Sequence, residues 1–513
     1  ILERGDIMDR NGVPLARNIK AYSIWVRPAE ILGDKKKLAH DLSVIFPDTS
    51  EAVFYQKLTA KRQGYLRKRA VPAEVRKVHD LGEIAIEFPR ESERLYPQRN
   101  LAAHALGFVN RDGKGALGIE RMMDAELSDP AKRGKPVALS IDIRVQAALE
   151  SELARGMEDT GAKGAAGVIL DAQTGEVLAM ATLPSFDPNH PLFSAGSEPS
   201  AIPGDTRLPI SRQVNSVTNQ VYELGSTFKP LTVAAALDAG TVRDLAIRYD
   251  ATKPLEIGGF KIRDSHPAGR WLNVPETLVH SSNIVTARIA DNLGKDKMDA
   301  MLRNIGFNEK PGIEIGERAS PIWPRNWGRV TNMTVGYGHG ISVTPMHLAN
   351  AYAAMVNGGI WRRATLLKVT PDRKIQSRRV FSAATSARMR QLLRMIVVDG
   401  TGKNADAVGY RVGGKTGSAE KPSQGSYSRS LLVSTFAAAF PMDNPRYVMV
   451  AMVDEPKGAG GNGSLRTAGW TAAPIINKTV TRIGPLLGII PDTKRDVDVS
   501  ELMPLLWTPK GGG

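Results

Sequence analysis

The sequence predicts an α+β fold, with an antiparallel sheet and a basic module ahead of it. Three observations carry this. A helix followed by a hairpin pattern begins near residue 138, a helix-rich stretch fills the middle, and three strand-like segments return before a closing helix. Strands, then helices, then strands indicate an α+β domain with an antiparallel sheet.

Residues 1–137 alternate short apolar strands (22–26 and 84–87) with charged segments punctuated by Pro and Gly, without long periodicity. From there Val145, Leu149 and Leu153 recur every four residues, as on one helix face. A strand at 166–170, turn residues at 171–176 including Gly175, and a strand at 177–183 read as a hairpin. Residues 184–222, rich in Pro, Ser, Asn and Gly, read as a long loop, the kind of segment that often carries function. Helical patterns dominate 227–394, broken by a loop at 311–327. Strands follow at 410–418, 431–440 and 446–453, with a Pro-Met-Asp-Asn-Pro turn between the last two. A closing helix spans 468–482, and Pro474 should kink it. The expected division is a module at 1–137, a domain at 138–485 and a tail at 486–513.

Composition narrows the function. The chain has 513 residues, 42% hydrophobic and 24% charged, which is ordinary globular usage and excludes a disordered or multi-span membrane protein. No cysteine is present, so disulfides, thiolate nucleophiles and Cys-ligated zinc are excluded. The eight histidines form no His-Glu-x-x-His pair, and no metal or cofactor is expected. The 68 Lys and Arg against 53 Asp and Glu give +15. That excess is either a solvated surface or an attraction to an anionic partner. The basic runs at 35–37, 61–62 and 67–69 lack interleaved aromatics, which disfavours nucleic acid. No run of eighteen apolar residues occurs.

Three short clusters carry the chemistry. In Leu224-Gly225-Ser226-Thr227-Phe228-Lys229-Pro230, Pro230 must sit in a first helical turn, so a helix should begin near Ser226 as N-cap. Lys229 then shares a face with Ser226. The helix N-terminus disfavours a cation, which lowers the lysine pKa and suits it as a base for the serine. Alone, this pattern is also an ordinary cap, and a second Ser-x-x-Lys occurs at Ser418 to Lys421. Ser281-Ser282-Asn283 follows a helical stretch and can turn a hydroxyl and an amide into a cleft. Lys415-Thr416-Gly417-Ser418 lies on a strand, where a lysine suits a carboxylate. Residues 409–416 also fit the phosphate-loop pattern, but no apolar strand precedes them, and Pro422 and Gly425 follow.

Ser-x-x-Lys, Ser-x-Asn and Lys-Thr-Gly in this order resemble the signature of penicillin-binding proteins and serine β-lactamases. Arg4-Gly5-Asp6, Arg94-Leu95-Tyr96-Pro97 and Gly118-Ile119-Glu120 resemble marks of the N-terminal module of class B penicillin-binding proteins. Gly336-Tyr-Gly-His-Gly-Ile-Ser-Val-Thr-Pro345 resembles their division-type branch. The resemblance implies a five-stranded sheet with an all-helical part, an elongated pedestal or dimerisation-like module, and a peptidoglycan D,D-transpeptidase inhibited by β-lactams. It implies Ser226 as nucleophile, Lys229 as base, Ser281 as proton relay, Asn283 on the peptide amide, and Lys415 and Thr416 on the terminal carboxylate. Gly417 and Ser418 complete the substrate strand, with the N–H groups of Ser226 and Ser418 as the oxyanion hole. Position 418 is Ser where many relatives carry Thr. The resemblance further implies peptidoglycan stem peptides as substrate and a membrane glycan polymerase and other division proteins as partners. It also implies a single N-terminal inner-membrane anchor absent from this chain, and a periplasmic catalytic domain. An elongation-type transpeptidase shares the same residues, and a non-catalytic β-lactam sensor or scaffold is the reading from another class. A β-lactamase is disfavoured because no Glu-x-x-Leu-Asn segment lies between Asn283 and Lys415.

Overall fold

A computed structural model describes residues 3–110, 112–191, 212–423 and 426–507. The N-terminal module is built on one long strand. β1 (Ile7–Met8) pairs with β2 (Pro14–Val26), and β2 pairs in turn with β3 (Gly64–Ala70), β4 (Ile86–Glu87) and β5 (Arg90–Leu95). β6 (Val137–Ala138) joins β1 in parallel. Two cores result. Ile24, Val26, Leu66, Val78 and Ile86 pack with Leu42, Phe46, Phe54 and Leu58 from α1 (Lys35–Ile45) and α2 (Glu51–Leu58) into a small separate core. Ile7, Leu15, Tyr96, Leu106, Ile119 and Leu127 instead belong to the main hydrophobic core.

The three segments that mark this module meet in one buried ionic cluster. Arg4 Nε donates to Glu120 at 3.0 Å, and Arg94 Nε donates to the same carboxylate at 2.7 Å. Arg94 also donates to Gly5 O at 2.9 Å, and Arg4 reaches Asp124 at 2.6 Å. Glu120 is fully buried, so its charge stands in low dielectric and depends on both guanidinium groups.

The main sheet takes its order from buried apolar runs. β7 (Gly164–Asp171) pairs with β8 (Val177–Leu183) as the expected hairpin. β9 (Gly413–Ser423), β10 (Ser426–Phe440) and β11 (Tyr447–Asp454) complete an antiparallel sheet of order β9-β10-β11-β7-β8. All eight residues of β7 and of β11 are buried, because helices cover both faces. Alternation sorts them: Ala166, Val168 and Leu170 face one core, Ala165 and Ile169 the other. The second face is covered by α3 (Ile143–Thr160) and α4 (Ala472–Leu486), with Leu149, Leu153, Ile475 and Ile476 inward.

Some expectations need adjusting. α4 begins at Ala472, so Pro474 falls in its first turn, where its missing N–H has no partner to lose, and it causes no kink. Each late strand is shifted or lengthened by a few residues, since pairing rather than composition ends it. The stretch 227–394 is helical but interrupted by short strand pairs at 249–250 with 271–272, at 255–257 with 260–262 and at 360–362 with 377–379. The loop expected at 184–222 includes residues 192–211, which lie outside the described residues. The last segment folds back onto the body: Asp496 pairs with Arg394 at 2.7 Å, Leu505 O accepts from Asn273 Nδ2 at 2.7 Å, and Trp507 N donates to Glu276 at 3.0 Å. No helix among the described residues is long and apolar enough to cross a membrane.

Candidate active site

The Ser226 turn is not an α-helical cap. Gly225–Phe228 form a 3₁₀-helical turn in which Lys229 N–H donates to Ser226 O, and α5 (Lys229–Asp238) starts only at the lysine. A 3₁₀ turn has three residues per turn, so positions i and i+3 eclipse. The serine and lysine therefore share a face, as expected, through a tighter helix than expected. Pro230 falls in the first turn of α5.

Glycines fix this turn from two sides. A Cβ on Gly417 would lie 2.4 Å from Leu224 O and 2.8 Å from Thr227 Cγ2, so β9 can approach the turn only with glycine there. On the other side, a Cβ on Gly338 would lie 2.1 Å from Gly225 O. Below, Tyr352 Oη donates to Thr227 O at 2.8 Å from α6 (Pro345–Val356). Ser226 is half-buried, and its Oγ has no side-chain hydrogen bond among the described residues.

The two lysines and Ser281 converge. Lys229 Nζ lies 3.0 Å from Ser281 Oγ and donates to Ser281 O. Lys415 Nζ lies 3.0 Å from the same Oγ, 3.0 Å from Thr416 O and 3.3 Å from Thr416 Oγ1. Ser281 is held with φ of 59°, a left-handed backbone that serine rarely adopts and that turns its side chain and carbonyl toward the lysines. Both lysines are fully buried. Burial pushes Lys229 well below its ordinary pKa, the Lys415 charge pushes it further down, and Asp264 pulls it back up. Burial alone brings Lys415 to about 7.

Asn283 is the member of the set that stands apart. It starts the helix Asn283–Leu293, is partly exposed, and donates Nδ2 to Arg263 O at 2.9 Å. Gly417 and Ser418 lie on β9 beside the turn, where Ser418 O is 3.1 Å from a Cβ built on Gly225, and Ser418 Oγ accepts from Ala468 N at 3.0 Å. The phosphate-loop reading has no loop to support it, because residues 413–416 are extended within β9. Lys421, of the accidental second Ser-x-x-Lys, pairs with Asp454 and Glu455 at 2.6 and 3.1 Å.

Sequence reasoning missed two supports. Asp264 is buried, accepts from Ser282 Oγ at 2.8 Å and from Ile284 N at 3.0 Å, and thereby ties down the segment carrying Ser281. Thr401 Oγ1 lies 2.8 Å from Thr416 Oγ1 and fixes the hydroxyl next to Lys415. Nothing local in the sequence marks either.

Comparisons with known proteins bear on the whole chain. A family model described as the penicillin-binding protein transpeptidase domain matches residues 165–479, and the penicillin-binding protein dimerisation domain matches residues 2–135. The chain is 38% identical to a probable peptidoglycan D,D-transpeptidase FtsI of Caulobacter vibrioides, over 95% of this chain and 82% of the relative. It is 28% identical to peptidoglycan D,D-transpeptidase FtsI of Escherichia coli, over 98% and 86%. Among solved structures, penicillin-binding protein 3 of Mycobacterium tuberculosis in complex with aztreonam superposes with a TM-score of 0.72. That match has 25% identity and covers 96% of this chain and 97% of the other. With family models matching residues 2–135 and 165–479 and a 38% identical relative over 95% of its length, the chain belongs to the penicillin-binding protein transpeptidase family, in the class B form that carries a dimerisation module ahead of the catalytic domain.

Proposed function

We infer that this chain is a peptidoglycan D,D-transpeptidase that works through an acyl-serine intermediate on Ser226. The observation that carries the reading is the buried chain Lys229 Nζ, Ser281 Oγ, Lys415 Nζ, with both links at 3.0 Å. A hydroxyl offers one donor and two lone pairs. Ser281 can accept from a Lys415 ammonium and donate to Lys229 only if Lys229 is a neutral amine, and burial with a neighbouring cation favours that state.

Neutral Lys229 takes the Ser226 Oγ proton as the oxygen attacks the carbonyl between the two terminal D-alanines of a stem peptide. The tetrahedral oxyanion is held by the N–H groups of Ser226 and Ser418. Lys229 returns the proton through Ser281 to the departing D-alanine nitrogen, and the C–N bond breaks. Lys415 and Thr416 hold the terminal carboxylate, Gly417 keeps β9 close, and Asn283 turns from Arg263 O to the peptide amide. An amine of a second stem peptide then attacks the acyl-Ser226 carbonyl, releases Ser226 and forms the cross-link. A β-lactam presents its strained amide to the same serine and stays attached. The likeness to FtsI proteins supports a septal role, with a periplasmic catalytic domain anchored upstream and a membrane glycan polymerase as partner. An elongation role uses the same residues, and depletion separates the two: filaments for division, round cells for elongation.

The test is covalent labelling with a fluorescent penicillin, read by gel and mass spectrometry. The native chain should carry one adduct on the peptide containing Ser226, and Ser226→Ala should carry none. An adduct that persists in the alanine variant overturns the nucleophile. Labelling without turnover of a thioester or peptide donor overturns the enzyme in favour of a β-lactam sensor.

A further inference from the structure

Behind the nucleophile turn, away from Ser281 and β9, lies a polar cavity of about 230 Å³. Lys310, Arg318, Arg363 and Arg378 line it, with Glu309 the one carboxylate on its rim. Among the described residues none of the four cations is in an ion pair. The nearby Glu314 is engaged by Arg373 at 2.9 Å and Glu317 by Arg121 at 2.7 Å. The side-chain hydrogen bonds of the cavity arginines among the described residues go to carbonyls, Arg318 to Pro311 O and Arg363 to Ile313 O at 3.4 Å and Arg378 to Asn304 O at 2.6 Å. His347 adds no charge, since burial lowers its pKa to about 4 and its Nε2 lies 2.8 Å from Glu309 O.

The wall also holds polar groups without partners. Trp361 and Asn350 are 6% and 3% exposed, and among the described residues neither Trp361 Nε1, Asn350 Oδ1 nor Arg318 Nε has a hydrogen-bond partner. Trp361 Nε1 and Arg318 Nε are donors and Asn350 Oδ1 is an acceptor, and buried donors left unsatisfied cost stability unless a ligand or water meets them. Arg378 lies 4.0 Å over the Trp361 ring, which holds its charge at the wall. Four cations against one exposed carboxylate leave an uncompensated positive cavity. Guanidinium forks suit phosphate oxygens, and several cations suit a multiply charged anion better than a single carboxylate.

We propose that this cavity binds a phosphoryl-bearing anion of pyrophosphate size, as a second ligand site of the catalytic domain. It stands one side chain from the nucleophile turn. Phe307 packs between His347 of the cavity wall and Phe228 of the turn, at ring distances of 5.8 and 5.4 Å. Asn350 shares its helix with Tyr352, which holds Thr227 O. A ligand that orders this wall therefore touches the elements that hold Ser226.

The test titrates inorganic pyrophosphate into the whole chain by calorimetry, with phosphatidylglycerol vesicles in a parallel sedimentation assay against phosphatidylcholine vesicles. Saturable one-to-one binding of pyrophosphate is expected, weakened about tenfold or more by Arg318→Gln with Arg363→Gln. Trp361→Phe keeps the ring, removes the N–H, and should also weaken binding. Unchanged penicillin labelling shows that each variant is folded. Binding to anionic vesicles alone, lost in the same variants, assigns the phosphoryl group to a lipid headgroup. Absence of binding in both assays, or binding that none of the variants weakens, overturns the site.

Discussion

Lys415→Met should make the protein more stable and much less active. Burial takes the Lys415 pKa from 10.5 to about 7, roughly 3.5 pH units, and at about 1.36 kcal/mol per unit this is a folding penalty of about 5 kcal/mol. The sign follows from proton counts. Between pH 7 and 10.5 the unfolded chain holds a proton on this lysine that the folded chain has released, so stability rises with pH across that window. Below pH 7 the full penalty stands, and at pH 9 about 2 kcal/mol of it remains. Methionine fills similar volume without the charge. It leaves Ser281 Oγ and Thr416 O without the ammonium, an offset of about 1–3 kcal/mol. The variant should therefore gain about 2–4 kcal/mol at pH 6 and little or nothing at pH 9. Equilibrium urea unfolding at the two pH values measures this, and labelling by fluorescent penicillin should fall by at least about a hundredfold, the usual scale for losing an electrostatic catalytic group. A variant less stable than the native chain at pH 6, or an advantage that grows with pH, refutes the reasoning.

Asp264→Asn removes the charge that raises the Lys229 pKa, so the acid limb of the penicillin-labelling rate against pH should move to lower pH; an unmoved limb removes Asp264 from the electrostatics. Gly417→Ala places a methyl 2.4 Å from Leu224 O, and about 1–3 kcal/mol of destabilisation with slower labelling is expected from the forced shift of β9. Glu120→Ala leaves the buried guanidinium of Arg94 without a carboxylate and Arg4 with Asp124 alone; about 3–5 kcal/mol should be lost, seen as a lower thermal midpoint, with the chemistry at Ser226 intact wherever the protein stays folded.

The legible part of the site was its linear part. Ser226, Lys229, Ser281 and Lys415 sit in short patterns whose residue types state their chemistry, and Pro230 alone placed a helix start within a few residues. Burial on both faces made the apolar runs of β7 and β11 equally plain. What stayed hidden was set by tertiary contact. The 3₁₀ turn is imposed by neighbours, with Gly417 and Gly338 pressed against it, and propensity has no term for that. Asp264 and Thr401 act across long loops, and their own surroundings in the chain are unremarkable polar sequence. The N-terminal marks at Arg4, Arg94 and Glu120 were visible as words, while their meaning as one ion cluster came only with the fold.

The order of the central sheet has a consequence in time. β7 lies between β8 and β11, so residues 164–171 find one of their two partners only at 447–454. At the roughly 5–20 residues per second of chain synthesis, that partner emerges on the order of tens of seconds later. Until then one edge of β7 and its apolar faces stand open, and closing so long a loop is slow. The nascent catalytic domain is thus exposed to mispairing for most of its synthesis, and it acquires the strand that carries Lys415 before the strand that locks the sheet.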